Sequence, residues 1–356
     1  MRSPLAESLN VLLPDLVPEL VAPHVAARLK GLANGLPIVL RGGFECRLGA
    51  DARRVDLQQC VYPGEGDLLR ERTSTSMPRG FLAEWPSRLA SIPEIWLEFD
   101  VDRPTDLPLS PVVFLGLPQG VSPAMETHGV AERGVDLLLG REWRRDRLRR
   151  CFSACPHGVF VSHIGVMSSR RGMSNPGASS ESDTGPNDYL RVNVKRLRAD
   201  SLPGYLRRIG WREDTEGPEA SMKRLHSFVE RITVCLDMGL DAAPDHAPGI
   251  HPRIGLECIS GGQPPGDPHW AALLDDLVGC GLCEPKKRDL LLRWPGRVTL
   301  GNTRAPWPRY LSAISHLHPR KPLSAFDRQL SHIKVDWRST GRLEAKAYLW
   351  FEHQWP

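Results

Sequence analysis

Paired segments of alternating polar and apolar residues recur along this chain, and they constrain its fold more than any other feature. In the last pair, within residues 330–356, Lys334 and Lys346 lie in mid-segment between apolar neighbours such as Ile333 and Ala347. Alternation with a period of two places successive side chains on opposite faces of a β-strand. Each pair of segments therefore predicts an antiparallel hairpin with one apolar face.

Five such pairs follow one another along the chain. They span residues 43–62, 94–117, 157–197, 231–260 and 330–356. Helix-like stretches lie before and between them, at residues 16–33, 133–155, 202–211, 220–231, 269–283 and 286–294. The sequence has no glycine-rich loop between a strand and a helix, which argues against a doubly wound nucleotide-binding fold. These features predict five helix-plus-hairpin units with ten strands in sequential antiparallel order.

The number of strands favours a closed barrel. An open sheet of ten strands would leave two exposed edges, and closure into a barrel removes both. Helices between successive hairpins can cover only the outer surface, and ten strands enclose more space than the eight whose interior side chains just fill a barrel. We therefore predict an α+β fold, a ten-stranded antiparallel β-barrel of five αββα-like units with an outer ring of helices. The charged hairpin faces would line the lumen.

Length and composition are compatible with one globular domain. The chain has 356 residues, of which 41% are hydrophobic and 25% are charged. We expect residues 1–356 to form a single domain, with a flexible loop insertion at 169–188 where serine, glycine and aspartate are abundant. Residues 1–30 lack the pattern of a signal peptide, and no segment has the roughly 20 apolar residues of a membrane span. The expected location is the cytoplasm, with no membrane partner.

Two further patterns limit the classes of partner. Cys280 and Cys283 form a C-x-x-C pair, but no second pair and no histidine pair at zinc-finger spacing accompanies them, so the sequence requires no metal. Basic residues cluster at 141–150, which is more typical of a solvated helix face than of a nucleic-acid contact. We expect no nucleic-acid partner.

Strand phase predicts which side chains point into the lumen. The predicted inward set is Trp96, Glu98, Asp100, His163, Arg191, Asn193, Lys195, Cys235, Asp237, Arg253, Glu257, His332, Lys334, Asp336, Glu344, Lys346, Tyr348 and Trp350. Only eight of the 46 basic residues are lysines, yet three of them, Lys195, Lys334 and Lys346, fall inside strands. Cations inside a barrel need negative partners, because burial of an unpaired charge is strongly unfavourable.

Two sources of negative charge are compatible with the sequence, and they can coexist. One is an internal network in which Arg253 and Lys334 pair with Glu257 and Asp336. The other is an anionic ligand bound in the lumen. A small-molecule or peptide substrate is the expected partner in the second case.

The predicted architecture resembles that of the ABBA prenyltransferases, whose ten-stranded antiparallel barrels are built from five αββα repeats and enclose a catalytic chamber. The resemblance covers nearly the whole chain and depends on the number and order of the units and on the lumen residues. It implies a transferase that attaches a prenyl group from an allylic diphosphate, as co-substrate, to an aromatic or peptide acceptor. No other cofactor would be required.

The resemblance also implies roles for individual residues. The cations expected to bind the diphosphate without a metal are Arg191, Lys195, Arg253, Lys334 and Lys346. Glu98 is the first candidate for the general base and Glu257 the second. The expected chamber lining is Trp96, His163, Tyr189, His332, Tyr348 and Trp350, whose aromatic faces would shield an allyl cation from water. Members of the family use several tyrosines for this purpose, whereas this chain has five in all.

Two alternative functions stay open. A peptide-modifying enzyme could cyclise or otherwise tailor a peptide, with Cys235, His332 and the lumen carboxylates as acid and base groups. A non-catalytic barrel could bind a ligand and retain it without turnover. Diphosphate binding would distinguish a prenyltransferase from both.

Overall fold

A closed antiparallel β-barrel of ten strands dominates the structure, a computed structural model. The structure describes residues 4–50, 54–65, 79–101, 111–118, 124–140, 142–167, 188–240, 249–317 and 324–355. The strands are β1 (Arg41–Arg47), β2 (Val55–Val61), β3 (Ile95–Asp100), β4 (Val112–Gly116), β5 (Phe160–Met167), β6 (Tyr189–Lys195), β7 (Arg231–Gly239), β8 (Ile250–Ile259), β9 (Gly296–Thr299), β10 (Ala325–Arg338) and β11 (Leu343–Gln354).

Pairing follows the sequence order, with one exception. Strands β1 to β8 pair in succession, β10 pairs with β8 and β11, and β11 returns to pair with β1. The short strand β9 pairs with the first residues of β10 and lies outside the ring of ten. Its other edge is occupied by Asn302, which accepts a hydrogen bond from the backbone N–H of Thr299 and donates one to the carbonyl of Arg297.

The antiparallel order gives the barrel two different ends. The strand ends that the five hairpins join, such as Arg338 of β10 and Leu343 of β11, lie at one end, which we call the hairpin end. The longer connections that carry the helices lie at the other end, which we call the crossover end. The two ends matter because the chemistry of the lumen changes along this axis.

Helices fill the connections at the crossover end and cover the barrel. They are α1 (Pro4–Leu12), α2 (Pro23–Ala33), α3 (Arg79–Arg88), α4 (Ala124–Leu139), α5 (Arg145–Ser153), α6 (Leu202–Ile209), α7 (Glu216–His226), α8 (Pro268–Gly279), α9 (Pro285–Arg293) and α10 (Arg309–Leu317). Local sequence fixes several of their ends. Asp267 caps α8 by accepting a hydrogen bond from the backbone of His269, and Gly210 ends α6 with φ of 93°. Within the described ranges, no helix is both long enough and apolar enough to cross a membrane.

The hydrophobic core lies between the barrel wall and the helices. Ile333, Val335 and Leu349 point outward from β10 and β11 and are buried in one cluster with helical residues such as Leu273 and Leu291. Burial of each such side chain contributes about 1.5–3 kcal/mol. Because the outer faces of the strands form this core, the alternate faces must line the lumen.

The predicted α+β fold and ten-stranded antiparallel barrel are confirmed. Several details differ. The stretch 133–155 forms two helices rather than one, because Gly140 adopts φ of 60° after α4, and α4 begins at Ala124. Strand β9 and helices α1, α3 and α10 were not predicted, and β10 begins earlier than residue 330. The single-domain assignment stays a prediction, and the predicted loop insertion at 169–188 lies outside the described residues except for Asp188.

Candidate functional site

The lumen has two parts with different chemistry. Towards the hairpin end lies a set of paired charges that we call the charge network, formed by Glu45, Arg47, Asp56, Arg191, Asp237, Arg253, Glu257, Lys334, Asp336 and Lys346. Towards the crossover end lies a cavity of about 390 Å³ that we call the chamber. Arg191, Glu257 and Lys334 also line the chamber and separate the two parts.

Strand register explains why so many charges meet in the network. On the inward face Lys334 is directly opposite Lys346 and Asp336 is opposite Glu344, while Glu45 is opposite Asp56 on the neighbouring strand pair. Like charges that face each other are unfavourable, so each residue pairs with an opposite charge on another strand. The arrangement therefore requires closure of the barrel.

Ion pairs in the network are short and buried. Arg191 donates two hydrogen bonds to Asp237, at 2.7 and 2.9 Å. Arg253 donates to Asp336 at 2.5 Å, and the Asp336 carboxylate also lies 3.7 Å from Lys346. Burial alone would raise the pKa of Asp336, but Lys346 and Arg253 outweigh that effect and hold the pKa well below its usual range.

Glu45 joins the same network from β1. Its carboxylate lies 2.9 Å from the ammonium of Lys346, accepts a hydrogen bond from Tyr348 at 2.5 Å and contacts Arg47. Arg47 also lies 3.3 Å from Asp56. The five cations of the network are matched by five carboxylates, so this half of the lumen is electrically balanced by the protein itself.

Three carboxylates on β1, β2 and β3 lie close together in this half. Oxygen atoms of Glu45, Asp56 and Glu98 lie within 4.8 Å of one another, a spacing that is compatible with a metal site. However, Arg47 and Lys346 already contact Glu45 and supply the positive charge that a metal would bring. Burial and the nearby Glu98 raise the pKa of Asp56 to about 6.

The chamber has an aromatic side, which we call the aromatic wall and which consists of Trp96, Phe114, His332, Tyr348 and Trp350. Trp96 and Trp350 stack with ring centroids 4.8 Å apart, and His332 stacks on Tyr348 at 4.0 Å. Gly43 lies behind Trp350, and a Cβ atom there would come within 2.9 Å of the indole. Burial lowers the pKa of His332 to about 4, so the imidazole is neutral at physiological pH.

The opposite side, which we call the polar wall, consists of Asn193, Lys195, Arg231, Thr233 and Glu257 on β6, β7 and β8. Lys195 is half-buried and Arg231 is exposed at the rim. In the described part of the chain, neither has a carboxylate within ion-pair distance or a hydrogen-bond partner. Burial lowers the pKa of Lys195, which is the expected effect on a cation that has lost water without gaining a close anion.

Three glutamates face the chamber and differ in the hydrogen bonds they accept. Glu94 accepts from the indole N–H of Trp96 at 3.1 Å and from the thiol of Cys60 at 3.5 Å, and hydrogen bonding by His163 helps to lower its pKa to about 2. A carboxylate stabilised in this way is a weak base. It is better suited to hold Trp96 and His163 in position.

Glu257 accepts hydrogen bonds from two side chains, whereas Glu98 accepts one. Glu257 accepts from Cys235 at 3.0 Å and from Asn193 at 3.2 Å, and lies 3.7 Å from Lys334. Burial would raise the pKa of Glu257, but its positive and donating neighbours lower it. Glu98 accepts one hydrogen bond, at 2.9 Å, from the neutral amide of Gln58. Of the three carboxylates, Glu98 accepts the fewest hydrogen bonds from described side chains, so it stays the first candidate for the general base.

The structure brings most of the predicted site residues together. Those that line the chamber are Trp96, Glu98, His163, Arg191, Lys195, Glu257, His332, Lys334, Tyr348 and Trp350. Arg253 and Lys346 lie in the charge network and do not line the chamber. Tyr189 lies against His251 near the hairpin end, with ring centroids 5.2 Å apart. The predicted roles of these three in diphosphate binding and chamber lining stay predictions.

Several lining residues were not predicted from the sequence. They are Gln58, Glu94, Phe114, Arg231, Thr233, Ile259, Gln263, Gln329 and Ser331. Strand phase could have identified Glu94, which is in step with Trp96, and Arg231, which is in step with Cys235. It could not have identified Gln329 or Ser331, because a β-bulge between Leu330 and His332 reverses the phase of β10.

No protein-family model matches this chain, and no curated protein matches it. What the protein shares with the ABBA prenyltransferases is therefore the closed ten-stranded antiparallel barrel, and any statement about its chemistry depends on the chamber itself.

Proposed function

We propose that this protein is a transferase that moves a prenyl group from an allylic diphosphate to an aromatic or peptide acceptor inside the chamber. The observation that carries the proposal is the placement of Lys195 and Arg231, two cations without anionic partners among the described residues, across the chamber from the aromatic wall. A donor with an anionic head and an apolar tail would satisfy both walls at once. The predicted location stays the cytoplasm.

The polar wall would act on the leaving group. When the carbon–oxygen bond of the donor breaks, its electron pair leaves with the diphosphate, and negative charge develops on that group. Lys195 and Arg231 would stabilise this charge from the polar wall. Lys334, which also lines the chamber, adds positive potential, although it is paired with Glu257.

The aromatic wall would act on the prenyl cation. The aromatic rings of Trp350 and Tyr348 would line the space around this cation and exclude water from it. The acceptor ring would supply the electron pair for the new bond and then lose a proton. Glu98 would take that proton, because its single hydrogen bond comes from a neutral amide and leaves the carboxylate free to act as a base.

The peptide-cyclase alternative depends on Cys235 and His332 and is less well supported. Burial raises the pKa of the Cys235 thiol well above its usual value, and Glu257 accepts a hydrogen bond from it. A thiol in this state is a poor nucleophile. The neutral His332 does not contact Cys235 through any hydrogen bond described here, and its imidazole stacks on Tyr348 instead.

The proposal is tested by product formation. The protein is incubated with dimethylallyl diphosphate and a panel of aromatic acceptors, including tryptophan-containing peptides, and prenylated products are sought by mass spectrometry. We expect transfer to at least one acceptor class and its loss in Glu98→Gln. Tight donor binding without any product would favour a non-catalytic binding barrel, and modification of peptides without donor would favour the peptide-modifying alternative.

A further inference from the structure

Three carboxyl groups on neighbouring strands meet where the chamber borders the charge network. Oxygen atoms of Glu45, Asp56 and Glu98 lie within 4.8 Å of one another. Strand register explains this closeness, because Asp56 is directly opposite Glu45 on β1, and Glu98 is opposite Gln58, the next inward residue of β2. Negative charges at this spacing repel one another strongly where water is excluded. The cluster therefore needs cations or a proton.

Cations satisfy only part of this need. Lys346 lies 2.9 Å from Glu45, and Arg47 contacts both Glu45 and Asp56. Glu98 has no cation within ion-pair distance in the described part of the chain, and its hydrogen bond comes from a neutral amide. Two cations thus serve three carboxylates, and the cluster keeps a negative charge that its cations do not neutralise.

One oxygen of Asp56 also lacks a donor. The residue is 2% exposed, and its Oδ1 atom is buried without a hydrogen bond from any described residue. A buried carboxylate oxygen in this state is unfavourable. A proton on either carboxyl removes the penalty, because the O–H of one group can donate to the other. Burial and the nearby Glu98 raise the pKa of Asp56 to about 6, against the opposite effects of Arg47 and Arg54.

The other charged and titratable groups around Asp56 have partners of their own. They are Glu45 and Arg47 on β1, Arg54 before β2, Asp100 on β3, and Lys346 and Tyr348 on β11. Asp100 accepts a hydrogen bond from Arg54 at 3.1 Å, and Glu45 is already paired. Among the described carboxylates near Asp56, Glu98 alone has no ion pair. It is therefore the group with which Asp56 can share a proton.

We infer that Asp56 and Glu98 form a pair that shares one proton, and that Asp56 is a positioning residue that acts through Glu98. The inference rests on the proposed function and adds a second member to its base. When the acceptor loses its proton, the electron pair of the carbon–hydrogen bond returns to the ring and the proton passes to Glu98. The neutral carboxyl then donates to Asp56, and the proton is released to water after the products leave.

Infrared difference spectroscopy of the carboxyl C=O stretch tests the pair without any substrate. Full-length parent, Asp56→Asn, Glu98→Gln and Asp237→Asn are titrated between about pH 5 and about pH 7. We expect one carboxyl group to titrate in this range in the parent and to be absent in Asp56→Asn. In Glu98→Gln its titration should move at least about one pH unit lower, because the repelling charge is removed.

Asp237→Asn is the matched control. It makes the same substitution at another buried lumen carboxylate, which pairs with Arg191 on β6 rather than with β1 or β3. The carboxyl titration of the parent should persist in this variant. If Asp56→Asn does not fold, the comparison of the parent with Glu98→Gln still decides whether the two carboxyls are coupled.

The pH dependence of product formation shows whether the pair serves the reaction. Turnover of the parent should fall as the pH falls through about 6, because the pair then already holds a proton and cannot accept another. In Asp56→Asn this fall should lie at least about one pH unit lower. Titration of the donor diphosphate is common to both proteins and cancels in the comparison. A purely structural role for Asp56 would lower turnover without moving its pH dependence.

The outcomes separate this inference from the proposed function. Absence of a titrating carboxyl in the parent, or an unchanged titration in Glu98→Gln, would overturn the pair and leave the proposed function in place. Equal pH profiles in the parent and Asp56→Asn would do the same. Absence of product from the parent at every pH would overturn the proposed function, and with it the role of the pair as a base.

Discussion

At the hairpin end of the lumen the ammonium group of Lys346 lies 2.9 Å from a carboxylate of Glu45, whereas at the crossover end Lys195 has no carboxylate partner in the described part of the chain. Both lysines alternate with apolar residues in a barrel strand, and both point inward. The difference is what surrounds them. In the charge network the protein supplies five carboxylates for five cations, while the polar wall of the chamber leaves two cations to interact with solvent or with a ligand.

The comparison teaches that inward direction alone does not make a cation part of a binding site. A buried cation that is fully paired contributes to the folded state, and removal of its partner leaves an uncompensated charge. A cation at the rim can change its partner without loss of the fold. Stability should therefore depend on the charge network, and ligand binding on the chamber.

The largest expected effect is on the stability of the charge network. Asp336→Ala removes the carboxylate shared by Arg253 and Lys346 and leaves both cations in the lumen. We expect the free energy of unfolding to fall by about 3–5 kcal/mol, as measured by chemical denaturation. Lys195→Met in the chamber should change it by less than about 1 kcal/mol, because no ion pair is lost. Equal losses in the two variants would remove the distinction between the halves.

The second effect is on turnover in the chamber. Glu98→Gln should reduce product formation about a hundredfold or more, since loss of a general base has effects of this size. Affinity for the dimethylallyl S-thiolodiphosphate should be unchanged, because Glu98 does not contact the head. Glu94→Gln is the matched control, with a smaller effect expected from a carboxylate whose pKa is held at about 2. A larger loss of turnover in Glu94→Gln than in Glu98→Gln would assign the base to Glu94.

The smallest effects concern pH, and they have opposite signs in the two halves. The pKa of Asp56 is raised to about 6 in the folded protein, so its contribution to stability is present at low pH and is lost as the pH rises from about 4 to about 6. The pKa of His332 is lowered to about 4, so stability is lost as the pH falls from about 6.5 towards 4, where the unfolded state binds the proton first.

Two variants measure these contributions through the free energy of unfolding at pH 4.5 and pH 7. As the pH rises from 4.5 to 7, the free energy of unfolding of the parent should fall by about 1 kcal/mol relative to that of Asp56→Asn. As the pH falls from 7 to 4.5, the free energy of unfolding of the parent should fall by a smaller amount relative to that of His332→Phe, because His332 is partly exposed to the chamber. If the parent lost stability in the same direction of pH change in both comparisons, the assignment of these pKa shifts would be contradicted.

Strand phase predicted the barrel and the inward direction of most site residues, but it did not predict which cations would be paired. Whether a side chain points into the lumen depends on its odd or even position along one strand, and the sequence shows this directly. Whether a cation meets a carboxylate depends on the position of each residue along the barrel axis. Strand register and closure of the barrel determine that position together. Lys346 meets Glu45 only because β11 closes onto β1, and Ser331 enters the chamber only because of a bulge in β10. Neither event has a local sequence signal.

One comparison of diphosphate affinities tests most directly whether the chamber is an anion-binding site. Three proteins are titrated with the dimethylallyl S-thiolodiphosphate: the parent, the lumen variant Lys195→Met/Arg231→Met and the surface variant Lys223→Met/Arg212→Met. The surface variant removes the same charge from the exposed outer surface. Each charge-assisted contact contributes about 1.5–3 kcal/mol when buried and less at an exposed rim. We predict at least about tenfold weaker binding in the lumen variant and parental affinity in the surface variant. Equal affinity in the parent and the lumen variant, or no binding by the parent, would contradict the assignment of the chamber as a diphosphate site.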